Sequence, residues 1–317
     1  MSTAPLSSVL QPGHTAVVTG ASSGIGKAAC IAFATAGLRV WMIDIDAVAL
    51  DAAVQKVQQA VVAKNDNNDN IIGKVIDVGN ATSMQELAQE VFQNGGKCHI
   101  LMNNAGIGLG GGAMTDMDMV EKVMRVNTYG PIHGCLAMLP FMKKSGEPCF
   151  VINTGSKQGI TMPPGNLTYN MSKAALKCYT EGLEHELMKE RAERKHNVTA
   201  VLLVPGWVNT DILLKSERAK AESKGETYDD AKAFFSEAKP AAGAWNAAQV
   251  IDFLVREVNA GRFYVICPDN DVDQHTDRLR MTWTMQDITQ SRPPLSRWHP
   301  DYKEAFASFL AANPKEP

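Results

Sequence analysis

Short apolar runs recur along the first two hundred residues, at 15–19 (TAVVT), 38–43 (LRVWMI), 71–76 (IIGKVI), 99–103 (HILMN), 149–154 (CFVINT) and 198–204 (VTAVLLV). Each is too short for a buried helix and predicts a strand covered on both faces. Between them, 24–36, 47–63, 82–93, 116–126 and 170–190 repeat apolar residues at helical spacing. Strands alternating with amphipathic helices predict βαβ units, hence an α/β fold with a parallel sheet covered on both faces. A later run, 263–266 (FYVI), follows a helix-like stretch near 244–259 and predicts one further strand.

Two regions break this rhythm. Residues 64–70 (KNDNNDN) are polar and read as a surface loop. Residues 211–240 are charged and hold a capping-box-like string, Thr227 to Asp230, before 231–235. One or two short helices are expected there, inserted after a strand's C-terminal end, where open α/β sheets bind ligands. Beyond 270 the chain is polar, with a Pro-rich string at 291–300 and an amphipathic stretch at 301–312. Trp283, Trp298 and Phe306 punctuate this tail and argue for packing, over the pocket or a subunit interface, rather than disorder. The expected organisation is a single unit over 1–317, with a core at 14–267, a substrate-loop insertion at 211–240 and a C-terminal extension at 270–317.

Composition narrows the function classes. The 317 residues are 45% hydrophobic, enough for a large core, and carry a net charge of −3. No global positive field draws the chain to nucleic acid or anionic lipid, and the basic stretch 189–195 is interrupted by acidic residues. Cys30, Cys98, Cys135, Cys149, Cys178 and Cys267 are scattered without a CxxC, as small buried side chains of a reducing compartment would be. The histidines show no metal-ligand spacing, so no metal is expected. Without a signal-like start or a run of roughly 18 apolar residues, the reading is cytoplasmic, with no membrane partner.

The first strand runs into 19-TGASSGIG-26 and then a helix. Glycines there let backbone approach a pyrophosphate, and a helix N-terminus favours its charge. Eighteen positions beyond Gly26 the second strand ends in Asp44. Its carboxylate can accept bonds from both adenosine ribose hydroxyls and would repel a 2′-phosphate. Ser23 and Ile45 are not basic, which also favours NAD over NADP; Lys27 and Arg39 are the nearest cations in sequence.

The string 169-YNMSK-173 puts Tyr169 and Lys173 on one helix face. A phenol has a pKa near 10; a neighbouring ammonium, with the positive charge of an oxidised nicotinamide, would stabilise its anion. Tyr169 could then exchange a proton with a substrate oxygen. Ser156, thirteen residues earlier at the end of a strand, could hold that oxygen. Asn127 could fix a helix bend and anchor a water beside Lys173.

TGxxxGIG at 19–26, Asp77 at the end of the third strand, NNAG at 103–106, Asn127, Ser156, YxxxK at 169–173 and PGWVNT at 205–210 stand in one order. This order resembles the short-chain dehydrogenase/reductase family in its compact branch, over residues 14–267. The resemblance implies a Rossmann-like doubly wound, seven-stranded parallel sheet in the order 3-2-1-4-5-6-7, and Asn127, Ser156, Tyr169 and Lys173 as catalytic tetrad. It implies a cofactor cleft built from Gly20, Ser22, Ser23, Gly24, Ile25, Gly26, Asp44, Asp77, Val78, Asn104, Ala105 and Gly106. Tyr169, Lys173, Pro205, Gly206, Val208 and Thr210 would complete it at the nicotinamide end. It also implies a homodimer or homotetramer, to which long helices around 116–140 and 168–190 would contribute.

The chain departs from the family in having Lys157 and Gln158, rather than a small apolar pair, after the serine. Gln158, Met162, Pro163, Pro164, Trp207, Ile212 and Leu213 are expected to shape a pocket for a medium-sized, partly apolar alcohol or ketone. A catalytically silent nucleotide-binding regulator or scaffold on the same fold is the alternative, and the presence of both Tyr169 and Lys173 argues against it. Sugar-nucleotide epimerisation would require a TGxxGxxG spacing and a C-terminal substrate domain, neither of which is visible.

Overall fold

The computed structural model describes residues 4–62, 70–108, 111–222, 225–233 and 235–315. Its elements are β1 (Thr15–Thr19), α1 (Gly24–Thr35), β2 (Arg39–Asp44), α2 (Ala47–Val62), β3 (Ile71–Val75), α3 (Ala81–Phe92), β4 (Ile100–Asn103), α4 (Met117–Met124), α5 (Gly130–Lys144) and β5 (Cys149–Thr154). There follow α6 (Gln158–Thr161), α7 (Leu167–Ala192), β6 (Val198–Val204), α8 (Ile212–Glu222), α9 (Ala247–Asn259), β7 (Tyr264–Ile266), α10 (Gln274–Thr289) and α11 (Lys303–Ala312). The seven strands form one parallel sheet in the order β3-β2-β1-β4-β5-β6-β7, the order the family resemblance implies.

Alternation along the strands divides the core into two layers. Ala16 and Val18 of β1 face Phe33, Leu50 and Leu254 on α1, α2 and α9. Val17, between them, faces Leu87, Met138 and Leu187 on α3, α5 and α7. Both sheet faces are therefore dry, which is why the strands read as continuous apolar runs. Helix starts follow local capping chemistry: the Asn80, Asp116 and Asp273 side chains accept from Ser83, Met119 and Thr276 amides. Asn246 and Gln249 form a reciprocal capping box at α9.

Several expectations need correcting. The third strand stops at Val75, so Asp77 lies two residues past it, in the loop that precedes α3. The helix expected at 116–126 does not end there but continues through a π turn, Arg125–Tyr129, into α5. The short helices expected in the 211–240 insertion are α8 and, further on, one 3-10 turn rather than a second α-helix. Asp229 caps a single 3-10 turn, Asp230–Lys232, and Lys239 Nζ bonds to the Ala231 and Ala233 carbonyls that a longer helix would use. The polar loop at 64–70 lies, except for Asn70, outside the described residues.

The C-terminal extension contains α10, which hydrophobic periodicity misses because its buried residues are Asp277, Trp283 and Asp287. The Trp283 indole donates to Ser296 Oγ at 2.8 Å and stacks under the Arg292 guanidinium at 3.7 Å. Phe306 and Phe309 of α11 each lie 5.2 Å from its ring. Replacing such an anchor with alanine costs about 3–5 kcal/mol. Trp283→Ala should therefore lower stability by about that amount in urea titration, and limited proteolysis should cut first within 290–312. Equal stability of variant and wild type would show that the extension does not fold with the core.

Candidate active site

The carboxyl ends of the strands open into a cavity of about 920 Å³. On one side β1 leads into the glycine-rich turn. Gly20 and Gly24 have φ of +65° and +52°, which glycine adopts without strain. A Cβ on Gly26 would lie 2.2 Å from the Gly20 carbonyl oxygen, so α1 can pack this closely only on a glycine. Thr19 joins the turn to the end of β4: its Oγ1 accepts from Asn104 and Ala105 amides at 2.9 and 3.0 Å. Asp44 Oδ2 accepts from the Ser22 amide at 3.0 Å, and its Oδ1 from the Asp46 amide at 3.1 Å. Asp77 Oδ1 accepts from the Gly79 amide at 2.8 Å, and its Oδ2 from Arg125 Nη1 at 2.7 Å.

The opposite wall is built by β5, α6 and α7. The Tyr169 phenol and the Ser156 hydroxyl both line the cavity, where Ser156 Oγ accepts from the Gln158 amide at 3.1 Å; burial pushes the phenol's pKa up and the nearby Ser156 hydroxyl pulls it partly back. Lys173 Nζ, 5.8 Å from the Tyr169 ring centre, donates to the Thr154 carbonyl at 2.8 Å. Burial draws its pKa down to about 8. In the protein's own atoms burial thus outweighs any lowering of the phenol by Lys173. Gly106 has no side chain to fill the space before this pair: a Cβ there would sit 3.3 Å from Asn127 Oδ1 and 3.6 Å from Lys173 Nζ.

Asn127 lies in the π turn with no exposed surface. Its Oδ1 accepts from the Ile107 amide at 2.8 Å; its Nδ2 donates to the Ile107 carbonyl at 3.0 Å and Ser172 Oγ at 3.1 Å. The side chain is thus committed to fixing the helix bend, with one lone pair of Oδ1 left over.

Of the residues expected at the cleft, Gly20, Ser23, Gly24, Ile25, Asp44, Asp77, Val78, Asn104, Ala105, Gly106, Ser156, Gln158, Tyr169 and Lys173 line the cavity, as do Pro205, Gly206, Trp207, Val208, Thr210, Ile212 and Leu213. Ser22, Gly26 and Asn127 sit behind its wall. Met162, Pro163 and Pro164 do not line it. Met162 closes α6 in the left-handed region, φ 49°, and is 40% exposed. That turn carries the chain off the cavity.

Long-range partners escaped the sequence reading. Lys215 Nζ, on α8, lies 3.0 Å from Ser23 Oγ and 3.4 Å from Ser22 Oγ, a cation near the turn nearly two hundred residues away. Lys157 Nζ lies 2.5 Å from Asp277 Oδ2 and 3.2 Å from Asp269 Oδ2, both carboxylates nearly buried. Asp269 also accepts from the Trp207 amide at 3.1 Å. Phe235 meets Trp207 edge-on at 5.4 Å. Among the described residues one trio, His14, His99 and Glu147, brings possible metal-ligand atoms within 4.8 Å. His99 Nδ1 accepts from the Thr15 amide, which puts the ring proton on Nε2, facing Glu147 at 2.7 Å. The lone pair a metal would need there is absent.

Comparison with known proteins places this geometry in context. Residues 14–221, more than half of the chain, match the family model described as short chain dehydrogenase. The chain is 28% identical, over 86% of its length and 91% of the relative, to 1-deoxy-11-beta-hydroxypentalenate dehydrogenase of Streptomyces avermitilis. It is 30% identical, over 62% of its length and 75% of the relative, to cyclohexanol dehydrogenase of a Rhodococcus species. A short chain dehydrogenase/reductase from Burkholderia phymatum, crystallised in complex with NAD, superposes with a TM-score of 0.74 at 28% identity, covering 89% of this chain and 96% of that one.

The charge cluster at Lys157 yields a stability prediction. Burial raises the Asp277 pKa, and Lys157 only partly opposes this. A carboxyl whose pKa is raised on folding weakens the fold as pH climbs through that value. Removing Lys157 enlarges the rise. Lys157→Met should cost about 3–5 kcal/mol at neutral pH, and the deficit should shrink as pH falls and Asp277 is protonated. Denaturant melts at pH 7 and pH 4.5 test this; a deficit independent of pH would mean that the lost charge is not what destabilises the variant.

Proposed function

The chain belongs to the short-chain dehydrogenase/reductase family, and from that membership we propose that it interconverts a secondary alcohol and a ketone, or a primary alcohol and an aldehyde, with NAD as cofactor. The observation that carries this reading is the convergence of Ser156 and Tyr169 at the cavity wall, with Lys173 one helical turn behind. A nicotinamide dinucleotide suits the residues present: the glycine-rich turn and Asp44 line one end, and the gap left by Gly106 before Lys173 the other. Bound there, it supplies two-electron redox chemistry at the carbinol carbon.

The chain's own groups handle binding and the proton. Ser156 Oγ and Tyr169 Oη, both at the cavity wall, define the place of the substrate oxygen. Tyr169 gives that oxygen a proton in reduction and takes it in oxidation. Burial keeps the phenol protonated, so the Lys173 ammonium and the charge of the oxidised cofactor must offset it before it can take a proton. Asn127 and Ser172 act as positioning residues that hold α4 and α5 against α7.

Asp44 favours NAD over NADP, since its carboxylate would repel a 2′-phosphate, and the similar Burkholderia phymatum protein was crystallised with NAD. Trp207, Ile212, Leu213 and Phe235 line the cavity and suit a medium-sized, partly apolar substrate. Exposed Leu136 and Phe141 on α5 and Met171 and Met188 on α7 support a homo-oligomer. Six free cysteines fit a cytoplasmic setting, and among the described residues no helix is long and apolar enough to cross a membrane.

Tyr169→Phe should lower turnover of a secondary alcohol by about 10²–10⁴-fold while leaving NADH binding, read by fluorescence, near the wild-type level. A variant with near-normal rates would sink the proton role. Separately, Asp44→Ala should reduce discrimination against NADP in kcat/KM; a wild type that already prefers NADP would overturn the NAD assignment.

A further inference from the structure

Helix α1 opens without an anion of its own. Its first turn has no acidic residue, and its N-cap, Ser23, makes no capping bond. The positive end of the helix is answered instead from the 211–240 insertion. The Gly24 amide donates to one carboxylate oxygen of Glu237, and Lys27 Nζ lies 2.6 Å from the other. Burial opposes charge on Glu237, yet Lys27 and the Gly24 amide outweigh it and hold the carboxyl below its ordinary range. The segment is anchored on both sides of this contact. The Glu237 amide donates to Asp211 Oδ1 at 2.9 Å, and Phe235, two residues earlier, packs on Trp207.

We propose that Glu237 is a built-in stand-in for the phosphate of the dinucleotide. Its carboxylate takes the helix-terminal amide and the ammonium that a pyrophosphate at the glycine-rich turn would use, so the two compete and Glu237 sets cofactor affinity. The inference rests on the dinucleotide reading above. Two anions cannot share one amide and one ammonium without repulsion, and the helix terminus favours whichever is present. Cofactor binding therefore expels Glu237 and loosens the segment that holds Phe235 against Trp207. The insertion thereby connects the phosphate end of the cavity to its substrate end.

The test is direct titration of the full chain with NADH, followed by fluorescence and by stopped-flow association, for wild type, Glu237→Gln and Glu237→Ala. Gln keeps the size and the acceptor oxygen but not the charge; Ala removes both, and circular dichroism checks that each variant folds. A latch closed in about nine molecules of ten weakens apparent affinity about tenfold, so both variants should bind NADH about tenfold more tightly and associate faster. Binding by the variants but not by wild type would support the proposal in its strongest form. Equal or weaker binding by the variants, with wild type binding normally, would overturn this inference alone. No NADH binding by any of the three folded proteins would overturn both the inference and the dinucleotide reading.

Discussion

An ammonium group taken out of water must find acceptors or surrender its proton, and Lys173 does some of each. It is 4% exposed, its pKa falls to about 8, and it gives one hydrogen bond to the Thr154 carbonyl at the end of β5. That bond pins α7 to the sheet, and the rest of the site is arranged around the pin. One turn earlier on the same helix Tyr169 meets Ser156, which leaves β5 two residues after Thr154. Ser172, beside Lys173, ties α7 to the π turn through Asn127, while its carbonyl accepts from Thr128 Oγ1. Gly106 supplies no side chain, so the ammonium faces the cavity. The same burial that fixes the geometry raises the phenol's pKa, a shift that positive charge nearby would oppose.

A second set of buried charges makes the C-terminal extension part of the site. Lys157 follows Ser156 in the chain, and its ammonium sits with Asp269 and Asp277 against the 205–208 loop. Gly206 packs so closely there that a Cβ would lie 2.7 Å from Lys157 Nζ. Asp269 also holds the Trp207 amide, so the position of one pocket wall depends on charges contributed by α10 and the loop before it. A buried ion pair of this kind is weak evidence for net stability, but it is unforgiving of the loss of one partner. The extension is therefore coupled to the serine end of the cavity rather than merely appended to the sheet.

The glycine-rich turn is held from the other side by the insertion, with Lys215 at the Ser22 and Ser23 hydroxyls and Glu237 at the Gly24 amide. These contacts place opposite charges on either side of a turn that carries no charge before Lys27. Electrostatics at the glycine-rich end of the cavity are thus set partly by residues from the insertion, about two hundred positions further along the chain.

The sequence alone determined the sheet, its order through the family resemblance, and the spacing of Tyr169 and Lys173. Strands β1, β5 and β6 begin and end where their apolar runs do, because burial on both faces leaves an uninterrupted signal. The helix pair was legible for the reason that side chains four residues apart share a face whatever the fold. α10 was not, since two of its three buried residues are the paired carboxylates Asp277 and Asp287, and a hydrophobic pattern cannot report buried ion pairs. Nor could spacing reveal that Met162 turns away from the cavity, a matter of one left-handed residue. Lys157 with Asp277, Lys215 with Ser23 and Glu237 with Gly24 are separated by more than a hundred residues in each case. Only the tertiary structure could bring them together, because electrostatic pairing depends on distance in space, and distance along the chain carries no record of it.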